Sequence, residues 1–328
     1  MQPFSYLRVD RVEDAITAIQ VPRSRFIAGG TNLVDLMKGG VEQPVLLVDI
    51  THLPLASVTE LPDGGVRVGA LARNSDLANH PLIRTRYPLL SQAFLAGASP
   101  QLRNMASVGG NLMQRTRCGY FTDAAFPACN KRAPGTGCGA LLGYNRTHAI
   151  FGASDQCVAT HPSDMCVALA ALDATVTVQS ARGERQIALT DFHRLPGATP
   201  QRDTALAPDE LIVGVYLPPA KPGTRSHYLK VRDRASYAFA LVSVATVVRL
   251  SGDRVDDARI VLGGVAHKPW RVIAAERALV GRSLDPVSID AAARVAVEGA
   301  RPLKDNRYKV ELARQSVARA LRVAGGVA

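Results

Sequence analysis

All five cysteines of this 328-residue chain fall between Cys118 and Cys166. Four of them lie in a stretch rich in Gly, Pro, Asn and Arg, a composition typical of irregular backbone. These four are Cys118, Cys129, Cys138 and Cys157. Structural cysteines usually behave as small buried hydrophobic residues. Four thiols gathered on a loop therefore indicate a set of metal ligands or disulfides, and either would fix how this loop folds.

The spacing of the four cysteines matches no standard metal motif. Ten, eight and eighteen residues separate them in turn. Structural zinc sites usually contain C-x2-4-C pairs, and bacterial ferredoxin clusters contain C-x2-C-x2-C. A long loop can still fold back and surround a metal cluster, whereas disulfides require an oxidising compartment. The spacing alone leaves an iron–sulfur cluster, a zinc site, disulfides and unrelated thiols open.

Cys166 differs from the other four. It follows Ser163 and Asp164 on an apolar segment that predicts a helix, so a packed core thiol is expected. Taken alone, Asp164 is expected to cap that helix. His148 and His193 have no partner set nearby in the sequence and are interpreted as surface or core histidines.

The chain is basic, with 39 Lys+Arg against 28 Asp+Glu and a formal net charge of +11. No aromatic-interleaved basic stripe or nucleic-acid motif accompanies this charge, so nucleic acid is not expected as a partner. An anionic cofactor, an anionic metal cluster or an acidic partner surface accounts for it equally well. The basic residues closest to the cysteines are Arg103, Arg115, Arg117, Lys131, Arg132 and Arg146.

The sequence predicts no membrane span, because no run of 18 or more apolar residues occurs. The first residues also lack a signal of the charged-then-apolar kind. Taken by themselves, these observations predict a cytoplasmic location. They are compatible with export as a passenger on a partner that carries a signal.

The first 55 residues predict a small β-α-β-turn-α-β unit. Asp10 and Glu13 form a plausible capping box for its first helix. Farther along, residues 88–98 predict a helix that ends at Gly97, and residues 211–217 predict a strand.

A domain boundary is predicted near Pro218, where prolines and Gly223 cluster. Alternating patterns beyond it predict three antiparallel strands and then two helices. The last helix keeps four apolar residues on one face. They are Val310, Ala313, Val317 and Leu321.

Two Gly-Gly turns, AGGTNL (residues 28–33) and SVGGNL (residues 107–112), could each approach a ligand closely. Glycine has no Cβ, and the amides that begin a helix attract anions. Neither turn is a GxGxxG fingerprint or a P-loop, so each one alone is compatible with an ordinary connection between elements. Together they could hold opposite ends of an extended anionic ligand, with Ser107 and Asn111 as hydrogen-bonding side chains.

Four separated motifs, AGGTNL, SVGGNL, HPSDM and LKVRDRASYAFALVSVA, occur in this order. In order and spacing they resemble the FAD-binding subunits of the xanthine dehydrogenase and aldehyde oxidoreductase group of molybdenum hydroxylases. The resemblance covers nearly the whole chain. The cysteine stretch, inserted between SVGGN and Asp164, is similar to that of the flavin subunits of bacterial periplasmic aldehyde oxidoreductases. Those subunits carry a [4Fe–4S] cluster besides FAD, and most members of the wider family lack the insertion.

The resemblance implies roles for particular residues. The expected FAD-binding residues are Phe26, Ile27, Ala28, Gly29, Gly30, Thr31, Asn32, Leu33 and Val34 along the pyrophosphate, Ser107, Val108, Gly109, Gly110 and Asn111 in the second loop, and Asp164, Ile212 and Lys230. The expected [4Fe–4S] ligands are Cys118, Cys129, Cys138 and Cys157, with Cys166 left out.

The function implied by the resemblance is electron transfer. A large subunit with a molybdenum cofactor would oxidise an aldehyde to a carboxylic acid. Electrons would then pass through a small [2Fe–2S] subunit to FAD in this chain, and on to an external acceptor. No catalytic residue for the aldehyde oxidation is expected here, because that step belongs to the partner. The resemblance also implies a heterotrimer in the periplasm, exported with a signal-bearing partner, whereas the chain's own sequence favours the cytoplasm.

The implied fold class is α+β. It consists of a two-subdomain FAD-binding fold of the p-cresol methylhydroxylase/vanillyl-alcohol oxidase type and a C-terminal α+β domain of antiparallel strands with helices. The expected boundaries are 1–217 for the FAD-binding domain, with subdomains 1–55 and 56–217 and an iron–sulfur insertion at about 115–160, and 218–328 for the C-terminal domain.

Two alternatives remain at this point. The chain could be the FAD subunit of another molybdenum hydroxylase, of the xanthine or aromatic-acyl-CoA type. It could instead be a non-enzymatic binding module stabilised by zinc on the four cysteines.

Overall fold

A computed structural model describes residues 1–327. Within this range the chain forms three separate sheets with helices packed against them, so the predicted α+β class is confirmed. Two of the three sheets are purely antiparallel, and the smallest, at the N-terminus, is parallel.

The N-terminal unit has the element order predicted from the sequence. Its three strands pair in the order β1-β3-β2, and Val48 and Ile50 contribute to a small core behind them. Strand β3 lies between β1 and β2 in this sheet, and most of its residues are buried. The elements are β1 (Ser5–Arg8), α1 (Val12–Ala18), β2 (Ser24–Ile27), α2 (Leu33–Lys38) and β3 (Leu46–Asp49).

The capping box predicted at Asp10 and Glu13 is wrong. Helix α1 begins one residue later than that pattern requires, with Arg11 at the N-cap and no side-chain cap. The Asp10 carboxylate instead lies 3.3 Å from Nδ1 of His52. A contact distant in sequence has replaced the local cap, and Glu13 is left in the first turn, where the helix dipole favours a carboxylate.

The second unit is built on a five-stranded sheet in the order β4-β5-β8-β6-β7. Helices α5 and α9 pack together over it and supply Leu89, Leu90, Val167 and Leu169 to the largest core. The elements are β4 (Val58–Glu60), β5 (Val66–Gly69), α3 (Asn74–Asn79), α4 (Pro81–Arg86), α5 (Pro88–Ala96), α6 (Pro100–Met105), α7 (Val108–Leu112), α8 (Gly119–Thr122), α9 (Asp164–Ala171), β6 (Thr175–Ser180), β7 (Gly183–Ala188), α10 (Leu189–Phe192) and β8 (Leu211–Leu217).

The cysteine stretch is irregular, as its composition predicts. Between α8 and α9, residues 123–163 form turns and isolated bridges without a regular strand or helix. One bridge pairs Cys129 with Cys138, and another pairs Ser154 with Cys157. Each bridge brings a cysteine to the end of a tight loop.

The C-terminal unit has an antiparallel sheet in the order β12-β11-β10-β9. Three helices accompany it, not two as predicted, because a turn at Gly281, with φ +83°, separates α11 from α12. Asp285 and Ser288 form a capping box that starts α12. The elements are β9 (Thr224–Val231), β10 (Val242–Ser251), β11 (Arg254–Gly263), β12 (Trp270–Arg271), α11 (Ile273–Leu279), α12 (Pro286–Val295) and α13 (Tyr308–Gly325).

Helix α13 covers the sheet with the apolar face predicted for it. Ala313, Val317 and Leu321 are fully buried, and Val310 packs at the edge of the same core. Within residues 1–327, none of the helices combines the length and the apolar character needed to cross a bilayer.

The first Gly-Gly turn packs against the end of α6. A Cβ atom added at Gly29 would overlap the carbonyl oxygen of Met105 and lie 3.3 Å from the nitrogen of Ala106. Gly30 has φ +71°, a conformation that residues with a Cβ rarely adopt. The two glycines therefore allow the N-terminal unit to approach the second unit backbone to backbone.

We expect Gly29→Ala to lower the free energy of unfolding by about 2 kcal/mol, because backbone must shift to admit the methyl group. Gly39→Ala is the matched control, since Gly39 has φ −75° and its nearest neighbours to an added Cβ are 3.5 Å away. Urea unfolding of both variants measures the difference. Equal stability of the two variants would contradict the close approach at Gly29.

Candidate functional site

A cavity of about 600 Å³ lies where the three units meet. This volume is within the range of ligand-binding clefts. The N-terminal unit contributes Asn32, the second unit contributes Asn111 and Asp164, and the C-terminal unit contributes Lys230 and Phe239. We call it the large cavity.

The structure brings only part of the predicted FAD-binding set to the walls of the large cavity. The predicted residues that line it are Thr31, Asn32, Gly110, Asn111, Asp164 and Lys230. The predicted residues that do not line it are Phe26, Ile27, Ala28, Gly29, Gly30, Leu33, Val34, Ser107, Val108, Gly109 and Ile212.

Several residues of the second group support the wall from behind. Ser107 Oγ accepts a hydrogen bond from the backbone N–H of Gly110 at 3.2 Å, which fixes the start of α7. The N–H of Gly109 donates to the carbonyl oxygen of Ala70 at 2.7 Å, so this amide is used within the fold. Ile212 lies within β8 and packs in the core. The sequence pattern located the turns, whereas the backbone hydrogen bonds decide which of their atoms remain available.

Asp164 is held at the back of the large cavity by two donors from the C-terminal unit. Its carboxylate accepts hydrogen bonds from the hydroxyl of Tyr228 at 2.7 Å and from Nζ of Lys230 at 2.8 Å. The side chains of Lys230 and Asp164 are only 3% and 9% exposed. Burial and the neighbouring Asp164 carboxylate raise the pKa of Tyr228 well above its ordinary value, so the phenol stays protonated and donates.

Asp164 is therefore not the helix cap expected from the sequence alone. Ser163 occupies the N-cap of α9, and its Oγ accepts from the N–H of Cys166 at 3.1 Å. The same hydroxyl donates to Oδ1 of Asn111 at 2.7 Å. Ser163 thus joins the start of α9 to the second Gly-Gly loop, and the carboxylate of Asp164 is free to bind the C-terminal unit.

Arg117 is a cavity residue that the sequence pattern assigned only to the basic patch. Its guanidinium carbon lies 5.3 Å from the centre of the Phe239 ring, and its Nη2 donates to Oδ1 of Asn32 at 3.3 Å. Its Nε is buried without a hydrogen-bond partner among the described residues. Burial lowers the pKa of Arg117, although an arginine remains charged at any pH near neutral.

Other lining residues missed by sequence reasoning are Asn74, Arg103, Tyr237 and Phe239. The aromatic pair in SYAF follows β9 and is exposed, which is a usable signal for a ring-binding surface. Asn74 Oδ1 is buried and lacks a partner in the described part of the chain. Two unsatisfied polar atoms, a cationic group and aromatic faces fit an extended ligand that has an anionic segment and a flat ring.

All four predicted ligand cysteines line a second, smaller cavity, which we call the cysteine cavity. None of the described cysteines forms a disulfide. Cys118 lines both cavities, so the two sites share this residue. The structure thus brings together four thiols that are spread over 40 residues of sequence, from 118 to 157.

Side chains of the sequence CNKR hold the loops around the cysteine cavity. Asn130 Nδ2 donates to the carbonyl oxygen of Gln156 at 3.1 Å and thereby joins the Cys129 loop to the Cys157 loop. Arg132 Nη1 donates to the carbonyl oxygens of Tyr120 and Phe121 at 2.7 and 2.9 Å, which fixes the turn after Cys118. These bonds hold three loops in place although regular structure is absent there.

Backbone amides close to three of the four cysteines act to lower the pKa of the thiols, against the effect of burial. Partial positive charge beside a sulfur favours its thiolate form. The amides are those of Tyr120 and Phe121 for Cys118, Ala140, Leu141 and Val158 for Cys138, and Ala159 for Cys157.

The thiols of the metal-free chain differ in acidity. A hydrogen bond from the Cys157 thiol lowers the pKa of Cys138 to about 6 and raises that of Cys157. Burial raises the pKa of Cys118 to about 11. A metal would therefore have to displace protons from most of this set when it binds.

His148 is buried, which is one of the two environments expected for it, and it has a partner distant in sequence. Its Nε2 lies 3.1 Å from Sγ of Cys118, and the residue lines the large cavity. Burial, together with the charge of Lys309, lowers the pKa of His148 to about 4. The imidazole is therefore neutral at neutral pH.

Cys166 lies apart from the cysteine cavity. It is fully buried in the core of the second unit, and burial raises its pKa to about 12. His161 and His193 lie beside it, each with a ligand atom within 4.8 Å of the others. His193 is buried too, and its Nε2 lies 2.9 Å from the carbonyl oxygen of Leu112.

The basic residues near the cysteines are largely paired. Lys131 forms a buried ion pair with Asp203, and Arg115 Nε lies 2.8 Å from the same carboxylate. Arg146 is paired with Asp233 at 2.8 Å. The charges of these three residues are therefore balanced by carboxylates within the fold.

The fold, the large cavity and the family matches together define a flavoprotein subunit. Residues 2–220 match the family described as FAD binding domain in molybdopterin dehydrogenase, and residues 227–324 match the CO dehydrogenase flavoprotein C-terminal domain. The chain belongs to this family, and it is a subunit of an oxidoreductase.

The chain is similar to known oxidoreductase subunits over nearly its whole length. The chain is 50% identical over 323 residues to the aldehyde oxidoreductase FAD-binding subunit PaoB of Escherichia coli, with 98% of both chains covered. It is 28% identical to the glyceraldehyde dehydrogenase medium chain of Sulfolobus acidocaldarius, with 93% of this chain and 90% of the relative covered. A solved carbon monoxide dehydrogenase from Hydrogenophaga pseudoflava superimposes with a TM-score of 0.79 at 26% identity, covering 99% of this chain and 98% of that one.

We expect Lys230→Met to destabilise the folded chain by about 3 kcal/mol, because it leaves the buried Asp164 carboxylate without its cation. Arg182→Met is the matched control, since Arg182 is 66% exposed in its pair with Asp209. The control should leave the unfolding midpoint nearly unchanged, because exposed pairs contribute little. Urea unfolding followed by circular dichroism measures both, and a wild-type midpoint for Lys230→Met would refute the role of this pair.

Proposed function

We propose that the chain is the FAD- and [4Fe–4S]-containing electron-transfer subunit of a molybdenum-dependent aldehyde oxidoreductase. The observation that carries this proposal is the convergence of four unlinked cysteines on one cavity that shares Cys118 with the large cavity. Two redox centres in contact through one side chain are an arrangement suited to electron transfer.

The FAD site of this proposal is the large cavity. Membership in the FAD-binding family identifies FAD as the cofactor. Arg117 Nε and Asn74 Oδ1 are buried without partners among the described residues, so they can bond its polar groups. Asn32 and Asn111 line the large cavity from the N-terminal and the second unit. Their Oδ1 atoms accept hydrogen bonds from Arg117 and Ser163, so the Nδ2 groups are the donors that they would offer to the cofactor. FAD, when bound, would accept electrons in pairs or singly, and the protein would set its position and electrostatic surroundings.

The cluster site is the cysteine cavity. Four thiols with backbone amides close to them are the environment in which Cys-ligated iron–sulfur clusters are held and tuned. A structural zinc ion is the alternative that the same four sulfurs could bind. The contact between the two cavities favours a redox cluster. A zinc ion cannot exchange electrons with a flavin, so a zinc site would gain nothing from this position.

The partners follow from the relatives' names and from the resemblance described above. The 50% identical relative is named for an aldehyde oxidoreductase, which favours an aldehyde over a xanthine or an aromatic acyl-CoA as the substrate of the complex. The assembly proposed is a heterotrimer with a large molybdenum subunit, in which the aldehyde is oxidised, and a small [2Fe–2S] subunit. An external acceptor would take the electrons.

The domain division proposed is 1–217 and 218–328, at the connection between β8 and β9. The location proposed is the periplasm, reached by co-export with a signal-bearing partner. Fractionation of cells that express the whole complex tests the location, and recovery with cytoplasmic markers would refute it.

We expect Arg117→Met to weaken FAD binding about tenfold or more, because a charge-assisted hydrogen bond to the cofactor would be lost. Arg182→Met, an exposed change outside both cavities, should retain wild-type flavin. Flavin released from the purified complex at graded dilution measures the affinity. Full flavin retention in Arg117→Met would contradict a hydrogen bond from Arg117 to FAD.

In complex purified without oxygen we expect about four iron atoms and four sulfides per copy of this chain beyond those of the small [2Fe–2S] subunit, from one [4Fe–4S] cluster. The separate changes Cys118→Ser, Cys129→Ser, Cys138→Ser and Cys157→Ser should each lower that iron, whereas Cys166→Ala should retain it. All five variants should keep FAD, which separates loss of the cluster from loss of the fold.

Iron and zinc analysis, with electron paramagnetic resonance of the reduced complex, provides the measurement. Stoichiometric zinc with no iron in this subunit would refute the cluster and support the zinc-stabilised alternative. Retention of these additional iron atoms, beyond those of the small subunit, in all four serine variants would refute the ligand assignment.

A further inference from the structure

His148 lies at the boundary between the two cavities. Its Nε2 is 3.1 Å from Sγ of Cys118, and Cys118 is the one predicted ligand that lines both of them. A group that bonds this sulfur would act on a cluster held here through the ligand that also borders the large cavity. The question is whether the imidazole donates to the sulfur or accepts from it.

The protonation state of a cysteine that ligates iron decides which of the two groups donates the hydrogen bond. A cysteine that ligates iron is a thiolate and can only accept a hydrogen bond, so the imidazole must carry its proton on Nε2. The other nitrogen, Nδ1, is buried and has no partner among the described residues. A proton placed on Nδ1 would be unsatisfied there, so both nitrogens favour the tautomer protonated at Nε2.

The backbone of His148 is clamped by the C-terminal unit. Nζ of Lys309 donates to the carbonyl oxygens of His148 at 2.9 Å and of Gly264 at 2.6 Å. Nδ2 of Asn306 donates to the carbonyl oxygen of His148 at 3.1 Å. Lys309 and Asn306 are both fully buried, so this clamp is a fixed part of the interior.

We propose that the Nε2–H of His148 donates a hydrogen bond to the Cys118 thiolate and thereby raises the reduction potential of the cluster. This inference rests on the proposed function, because it needs a cluster in the cysteine cavity. Reduction adds negative charge to the cluster, and a hydrogen bond to a ligand sulfur stabilises the more negative form. His148 acts through Cys118, so it is a positioning residue, and the clamp from Lys309 and Asn306 holds it in place.

The test uses the complete complex with His148→Leu, which removes the donor, and His148→Gln, which keeps an N–H on a side chain of similar reach. His227→Leu is the matched control, because His227 lies on β9 and lines neither cavity. Redox titration followed by electron paramagnetic resonance reports the cluster, and absorbance reports the flavin in the same samples.

For His148→Leu we expect the ratio of reduced to oxidised cluster at a fixed potential to fall about tenfold, which is about 59 mV for a one-electron couple. His148→Gln should recover most of the loss, and His227→Leu should match the wild type. The flavin should shift less than the cluster. An unchanged ratio in a cluster-replete His148→Leu complex, or equal shifts in the Leu and Gln variants, would overturn the inference.

A measurement on the unmutated complex covers the case in which the variants lose their cluster. Complex labelled with ¹⁵N-histidine should show coupling of an imidazole nitrogen to the reduced cluster in pulsed electron paramagnetic resonance. Absence of that coupling in a cluster-containing complex would also overturn the inference. A wild-type complex without any cluster would instead refute the proposed function, so the two failures are distinct.

Discussion

The buried contact between Asp164, Lys230 and Tyr228 is the constraint on which the arrangement of the site depends. A carboxylate and an ammonium removed from water are tolerable only if each is fully bonded, and here one carboxylate receives both an ammonium and a phenol. The carboxylate begins α9 of the second unit, and both donors come from β9 of the C-terminal unit. This contact fixes the distance between two units whose facing surfaces form the large cavity.

A comparable clamp holds the cysteine stretch. That stretch has little regular structure, so its shape comes from side chains that bond backbone carbonyls across loops, with Asn130 and Arg132 as the clearest cases. Lys309 and Asn306 then fasten its later part to the C-terminal unit. A cluster bound by four cysteines in this setting would join loops that are already ordered.

Much of the fold could be predicted from the sequence. Apolar periodicity and glycine stops located the N-terminal unit, the helix that ends at Gly97, the strand at 211–217 and the antiparallel C-terminal strands. The errors have a common cause. Asp10 contacts His52 and does not cap the helix, and a turn at Gly281 separates two helices, so that three helices follow the strands where two were predicted. Local patterns describe what a segment can do, and distant contacts select among the options.

The sequence by itself determined that the cysteines lie on irregular backbone, that a glycine turn at Gly29 and Gly30 connects a strand to a helix, and that the chain resembles a flavoprotein subunit. These properties follow from residue type and short-range spacing, which the chain carries before it folds. Only the tertiary structure decided that Cys118 lies in both cavities, that His148 meets it across 30 positions, and that Lys230 meets Asp164 across 66. Those contacts arise because packing of three units brings distant side chains together, and no local period encodes such a distance.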